Sequence, residues 1–530
     1  MTKILKIDNR YQDSALNLSL DTIKIGKQAF VFVNTKRSAE KVAEDISKKI
    51  KDLDTKTAKN LEELSAKILK VLSKPTRQCE RLANCIKKGT AFHHAGLAPK
   101  QREIIEDEFR KGTIKIIACT PTLAAGVDLP AFRTIIRDLK RYGRFGLSWI
   151  PVLEYLQQAG RAGRPSFDKY GEAIIIASGD DEKEKIYERY INGEPEEIQS
   201  KLAVEPVLRT YLLSLISANF LTNRERIMQF FSKTFWAHQF EDMDKIEMLI
   251  EKCLALLEEW EFVKSSQKSG DFMDAGEVNS YSVKATPIGK RVAELYIDPY
   301  TAHFLIENLR KASSKSGSIN EISFIHLVSS TLEMRPQLKA KTKDDEAINE
   351  FLLKYENYFL EKEPSMFEPD YDEYLSYVKT AMFMNDWLEE KDEEYLLESY
   401  DIRPGEINNK LAVADWLLYS SEELARMLHF QELLKEVKKT RFRLKYGIKE
   451  ELIPLVRLKN IGRVRARILF NNRIKDISDI KKADLSTLKH LIGEKVALDI
   501  KSQVDEDPAM TKFKPGKRKG QFNLERYNEE

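Results

Sequence analysis

Ala29-Phe30-Val31-Phe32-Val33 is a continuous apolar run, rich in β-branched and aromatic residues, closed by the polar Asn34-Thr35-Lys36-Arg37-Ser38. Such a run reads as a strand buried on both faces, the habit of parallel sheets. A helix is expected over 39–49, and a long charged helical region over about 55–88. Residues 90–97 read as a strand breaking into a loop, 101–111 as a helix, 114–118 as another buried strand and 173–177 as a further one. Strands alternating with helices predict an α/β domain over 1–195, built on a parallel, doubly wound sheet. Beyond 200 the strand signal nearly vanishes. A helix at 244–261, two short strand-like runs and a helix at 288–296 predict a winged helix over 200–297. Residues 298–445 read as all-helical, 446–507 as a small helical domain, and 508–530 as a disordered basic tail.

Lys and Arg number 87 against 84 Asp and Glu, so the net charge is only +3 and any nucleic-acid surface must be local. Cys79, Cys85, Cys119 and Cys253 form no Cys-x-x-Cys pair, which fits incidental thiols in a reducing cytoplasm and no metal centre. No apolar run approaches the ~18–20 residues that span a bilayer, and the N-terminus has no signal-peptide character.

Four pieces of the α/β domain carry candidate chemistry, and each is expected at a strand's carboxyl end, where open α/β sheets bind ligands. The first is Asn34-Thr35. The second is Ala91-Phe92-His93-His94-Ala95-Gly96-Leu97. The third is Thr120-Pro121-Thr122-Leu123-Ala124-Ala125-Gly126-Val127-Asp128-Leu129-Pro130. Thr120 and Thr122 can donate to nucleic-acid phosphates, Gly126 permits close backbone approach, and Asp128 can bridge toward a ribose. The fourth is Gln157-Gln158-Ala159-Gly160-Arg161-Ala162-Gly163-Arg164. Its two arginines suit a helix start facing a nucleotide, since a guanidinium is permanently charged and fork-shaped. The usual companions are missing: the 530 residues hold no Gly-x-x-x-x-Gly-Lys-Ser/Thr loop and no Asp-Glu-x-His/Asp run for magnesium.

Three further segments speak of nucleic acid. Residues 137–150 read as a β-hairpin whose Arg141, Arg144 and Phe145 can hold phosphates and stack on bases. On the helix over 405–427, Ile407, Leu411, Ala414 and Leu418 share one face, while Trp416 points the opposite way beside Asn409, Ala412 and Ser420. An exposed Trp beside small residues is a stacking platform for single-stranded DNA. Ile461-Gly462-x-x-x-Ala466 recurs as Ile492-Gly493-x-x-x-Ala497, with Arg463, Arg465 and Arg467 beside the first copy. A glycine before a helix exposes backbone N–H groups to a phosphate.

In their order and wording, these pieces resemble motifs IV, IVa, V and VI of superfamily-2 helicases, and specifically the archaeal Hjm-type (helicase 308) repair DNA helicases. The resemblance covers about 25–510. It implies a second RecA-like domain, a winged helix, a helical ratchet domain and a helix-hairpin-helix domain, without the first RecA-like domain. It implies 3′→5′ unwinding of branched or forked DNA at stalled replication forks. By the same resemblance Gln157, Arg161 and Arg164 face ATP, with one arginine as a finger, and Gly126 and Asp128 belong to the nucleotide side. Asn34, Thr35, His94, Thr120, Thr122, Arg141, Arg144, Phe145, Trp416, Gly462, Arg463 and Arg465 are the nucleic-acid candidates. Where these helicases commonly carry an Arg two turns before the ratchet Trp, this chain has Asn409 with Lys410 next to it. Gln521, Leu524 and Tyr527 have the spacing of sliding-clamp (PCNA) binding peptides.

The expected ligands are therefore single-stranded and forked DNA bound by a monomer, and ATP with Mg2+ once a first RecA-like domain is supplied. Two activities remain open on the residues: part of a working helicase, or a DNA-binding module without ATPase activity. An RNA-helicase relative shares the same domain order.

Overall fold

The computed structural model describes residues 6–51, 54–124, 129–143, 146–164, 168–240, 242–267, 281–314 and 319–505. Five described strands make one fully parallel sheet: β1 Ala29–Phe32, β2 Thr90–His93, β3 Ile116–Cys119, β4 Arg133–Ile136 and, after a hairpin, β7 Glu172–Ile175, in the order β2-β3-β1-β4-β7. Val31 lies between Ala118 and Ile135, so β1 is central. Every residue of β1, β2 and β3 is buried, which is why β1 and β3 read as unbroken apolar runs. The connection from β1 leads to β2, on the far side of β3. The connection from β3 leads back past β1 to β4. These two departures in opposite directions open a crevice at the carboxyl ends of β1 and β3, the switch point of the sheet.

β4 was not expected, because it opens on a charge. Arg133 is buried, and its guanidinium donates to Glu172, Asp21, the Thr22 hydroxyl and the Leu18 carbonyl at 2.7–3.0 Å. A buried charge is tolerated when it is paired and hydrogen-bonded in this way. The expected hairpin is present as β5 Lys140–Gly143 and β6 Gly146–Trp149, antiparallel, with Tyr142 opposite Leu147. Arg144 and Phe145 lie outside the described residues. Beyond the sheet, helices Glu205–Ser217 and Met243–Glu259, strands β8 Val263–Gln267 and β9 Tyr281–Ala285, and helix Pro287–Leu295 make the winged helix. Helices follow to residue 505, including the long Pro404–Met427. The chain divides into two compact units, 1–387 with 391–445, and 388–390 with 446 onward. All four cysteines are free and buried.

Candidate nucleic-acid interface and nucleotide edge

The crevice at the switch point is a cleft of about 560 Å³. Asn34, Thr35, Thr120, Thr122 and Arg141, which lie far apart in the chain, all line it. Each arrives by a local rule. Thr35 is the N-cap of helix Lys36–Ser47, its hydroxyl accepting from the Ser38 N–H at 3.0 Å. Asn34 donates from Nδ2 to the Lys140 carbonyl at 2.6 Å, so it also fixes the root of the hairpin. Thr120 and Thr122 share a 3.0 Å hydroxyl–hydroxyl bond on the turn after β3. Arg141 stands in β5 and pairs with Glu154 at 2.9 Å. On the hairpin, Lys140 sits 4.1 Å over the Trp149 ring, and the Tyr142 side of the ribbon is open, that ring being 83 % exposed.

Three cations of the cleft stand outside the sequence expectations: Lys36, Arg37 and Arg403. Lys36 and Arg37 directly follow Asn34-Thr35, and that adjacency was the available signal. They pair with Glu406 and with Asp401 respectively. Arg403 has no local signal, because it reaches the cleft only through the docking of helix Pro404–Met427.

The surroundings of His94 correct its reading as a nucleic-acid contact. Its ring is fully buried, stacked on Phe92, with Nε2 3.2 Å from Glu40 and Nδ1 accepting from the Gly96 N–H. Burial lowers its pKa, so the ring is neutral at pH 7 and shielded from any DNA. Burial would raise the Glu40 carboxyl, but the neighbouring His94 and Gln78 side chains and the Arg81 charge outweigh it and hold it at about 2. His94 therefore shapes the 95–97 loop on which the helix lands. The Gly405 N–H donates to the Gly96 carbonyl at 3.0 Å, and a Cβ at Gly405 would fall 2.2 Å from the Ala95 carbonyl oxygen.

On helix Pro404–Met427, Asn409 and Ala412 are exposed, as expected of the face opposite Ile407 and Ala414. Trp416 is half-buried rather than exposed. Its indole N–H donates to the Leu295 carbonyl at 2.9 Å, which tethers one edge to the winged helix and orients the ring, while Ser420 is buried. Lys410 turns inward and donates to the Met334 and Pro336 carbonyls, so it does not stand in for the missing arginine as a phosphate contact.

The Gln157–Arg164 stretch departs from two expectations. It ends a helix rather than starting one: Val152–Ala159 stops at Gly160, and both arginines lie on the turn beyond. It also lies at the amino edge of the sheet, because that helix carries the chain back from the carboxyl edge to where β7 begins. The Ala131 N–H, ahead of β4, donates to the Arg161 carbonyl at 2.9 Å, and the Gly163 N–H returns a bond to Ala131. Gly163 has φ +95°, and a Cβ on Gly171 would meet its nitrogen at 2.3 Å, so glycine is needed at both positions.

Arg161 donates from Nε to the Ala124 carbonyl at 2.9 Å. Arg164 donates from Nε to Asp168 at 2.7 Å and from Nη1 to Gln28 at 2.8 Å. Hydrogen bonds from Arg164 and then Lys27 hold the Asp168 carboxyl at about 2. Gln157 is exposed. Gly126 and Asp128 lie outside the described residues.

In the second unit, Gly462 is the N-cap of helix Arg463–Asn471, and Gly493 directly precedes helix Glu494–Asp505. The two copies match bond for bond: the Ala466 N–H donates to the Gly462 carbonyl and the Ala497 N–H to the Gly493 carbonyl, both at 2.9 Å. Arg465 is exposed and donates to the Asn460 carbonyl. Arg467 is paired with Glu390 and Glu451. Gln521, Leu524 and Tyr527 lie outside the described residues.

Residues 12–166 match the helicase conserved C-terminal domain, 171–264 a helix-turn-helix domain, and 322–447 the archaeal helicase domain 4. The ATP-dependent DNA helicase Hel308 of Methanocella arvoryzae is 37% identical over 519 residues, covering 96% of this chain and 67% of the relative. The chain belongs to the Hel308 family. Hel308 of Pyrococcus horikoshii is 38% identical over 481 residues, covering 90% of this chain and 63% of its own length, and that of Pyrococcus abyssi 37% over 501 residues. The chain thus spans about two thirds of the length of these Hel308 relatives. The helicase C-terminal match holds strands β1 to β4 of the parallel sheet and the Gln157–Arg164 stretch, and the archaeal domain 4 match contains the whole Trp416 helix. No described helix is long and apolar enough to cross a membrane.

Proposed function

We propose that this chain is the nucleic-acid-handling part of an ATP-dependent, 3′→5′ DNA helicase acting on forked DNA in replication-fork repair. One observation carries the reading: Asn34, Thr35, Thr120, Thr122 and Arg141 line a single cleft at the sheet's switch point. Hydroxyls, an amide and a guanidinium facing one crevice suit a phosphodiester backbone, whose contacts position a strand without reading its sequence. In this reading the hairpin, with Tyr142 at its open side, parts the duplex, Trp416 stacks on the tracking strand, and Gly462 with Arg463 and Arg465 adds a phosphate contact. A docking turn at Gln521, Leu524 and Tyr527 for a sliding clamp belongs to the same proposal, as do a monomeric state and a cytoplasmic setting.

ATP and Mg2+ belong to a composite site. Gln157, Arg161 and Arg164 form a donor set that fits a polyphosphate: an exposed amide and two half-buried guanidiniums on one turn. Charge stabilisation by such an arginine is typically worth 10³–10⁵ in rate. A phosphate-cradling loop and magnesium carboxylates must come from a Walker-type domain, since neither motif occurs in the 530 residues.

Two assays test this. Fluorescence anisotropy with labelled single-stranded and forked oligonucleotides should report binding by the chain alone, while phosphate release stays at background with and without DNA. A separately supplied Walker-type domain should restore turnover, and Arg164→Ala should abolish it. Robust ATP hydrolysis by the chain on its own would overturn the division of labour, and failure to bind DNA would overturn the whole reading.

A further inference from the structure

Tyr296 ends helix Pro287–Leu295 in a left-handed conformation, φ 57° and ψ 24°. Helices commonly stop this way, but the residue there is usually Gly or Asn, because a Cβ is penalised in that region. The tyrosine ring gains nothing inward to offset the penalty. It is 80 % exposed, and among the described residues its side chain has no hydrogen bond and no ring contact. Other non-glycine residues of the chain adopt this conformation, among them Glu261, Glu390 and Arg473, but among the described residues Tyr296 is the one that turns a phenol ring to water there.

Its location says what. The preceding residue, Leu295, supplies the carbonyl that accepts the Trp416 indole N–H at 2.9 Å. Tyr296 is therefore one peptide unit away from the anchor that orients Trp416. Asn409 and Ala412 keep the approach on the next turns of the Trp416 helix clear. We infer that Tyr296 is a second stacking position for single-stranded DNA, offering a π-face to a base on the same strand that Trp416 engages. Every base has a π-face, so such a contact is sequence-tolerant, as strand tracking requires. This inference rests on the stacking role proposed for Trp416.

The test uses the full chain with Tyr296→Asn, Tyr296→Phe and Trp416→Ala, each titrated against a labelled oligothymidylate and unfolded in urea. Asn suits the left-handed corner better than Tyr, so Tyr296→Asn should keep or raise the urea midpoint while weakening DNA binding roughly five- to tenfold. Tyr296→Phe should bind as the parent does. Wild-type affinity in Tyr296→Asn with a weakened Trp416→Ala overturns the Tyr296 inference and leaves Trp416 standing. No loss in either variant overturns both. A loss in Tyr296→Asn with none in Trp416→Ala overturns the shared path. A loss in Tyr296→Asn that Phe fails to rescue overturns stacking in favour of a hydroxyl contact.

Discussion

At the carboxyl edge of the sheet, Arg141 and Arg37 pair with Glu154 and Asp401 in contact with water, Arg37 being 75 % exposed. At the amino edge, Arg164 and Lys27 close on Asp168, whose side chain is 1 % exposed. Both edges bring cations forward, and both neutralise them with carboxylates. The difference is what it costs to exchange that carboxylate for a phosphate. An exposed pair is worth about 0–1 kcal/mol, so an incoming strand can replace it cheaply. A pair whose acid is buried resists separation, because the abandoned charge has no water to go to. The exposed pairs of the carboxyl edge can thus trade partners cheaply, while the amino edge holds Arg164 in place.

The sharpest way to break this contrast is Asp168→Ala. Removing the buried acid leaves Arg164 and Lys27 facing each other, and the expected loss is about 3 kcal/mol, read from urea unfolding. A loss below about 1 kcal/mol would reduce the amino edge to another surface pair. The acid limb should follow the same group. Asp168 sits near 2 in the folded chain against an ordinary value of 3.8, so the folded state binds fewer protons than the unfolded one between those values. Its contribution is fully present above pH 4 and is lost as pH falls towards 2. The gap between wild type and Asp168→Asn should be wide at pH 7 and should close over that window.

The two edges also differ in how far the sequence foretold them. The carboxyl edge was legible because its residues follow apolar strands directly, and a strand's end is where side chains turn from core to solvent. Asn34, Thr35, Thr120 and Thr122 needed only that rule. The amino edge needed knowledge of the return path: Gly-Arg-x-Gly-Arg names a chemistry, but whether it starts or ends a helix depends on where Val152–Ala159 runs. β4 stayed hidden because Arg133 breaks the apolar pattern, and only Asp21, Thr22 and Glu172, remote in the chain, make its burial acceptable. His94 reads as a surface residue because its own loop says nothing of Glu40, far earlier in the chain, whose carboxylate lies 3.2 Å from its ring. Trp416 faces a surface of its own helix that the end of Pro287–Leu295 partly covers. Periodicity reports the face of a helix and is silent on what lands on it.

Arg141→Ala tests the carboxyl edge from the side of the ligand. Loss of one phosphate contact should weaken single-strand binding about tenfold at low salt and reduce the salt slope by about 0.7. Stability should change by less than about 0.5 kcal/mol. Weaker binding with an unaltered salt slope would remove Arg141 from the phosphate path and leave it a strut of the hairpin.

Glu154→Gln carries the smallest expected effect and the most direct bearing on partner exchange. Arg141 Nη1 lies 2.9 and 3.1 Å from the two carboxylate oxygens of Glu154, which stands in the first turn of the helix that leads to Arg161 and Arg164. Neutralising it releases Arg141 from competition, so single-stranded DNA should bind about twofold tighter, with the gain fading as salt rises and screens the competing charge. The same change removes a favourable negative charge from a helix N-terminus, a loss of a few tenths of a kcal/mol. Tighter binding with slightly lower stability is the signature of a carboxylate that occupies the arginine until a phosphate displaces it. If binding weakens instead, Glu154 orients Arg141 toward the strand, and the pairs at this edge work as supports rather than as exchangeable partners.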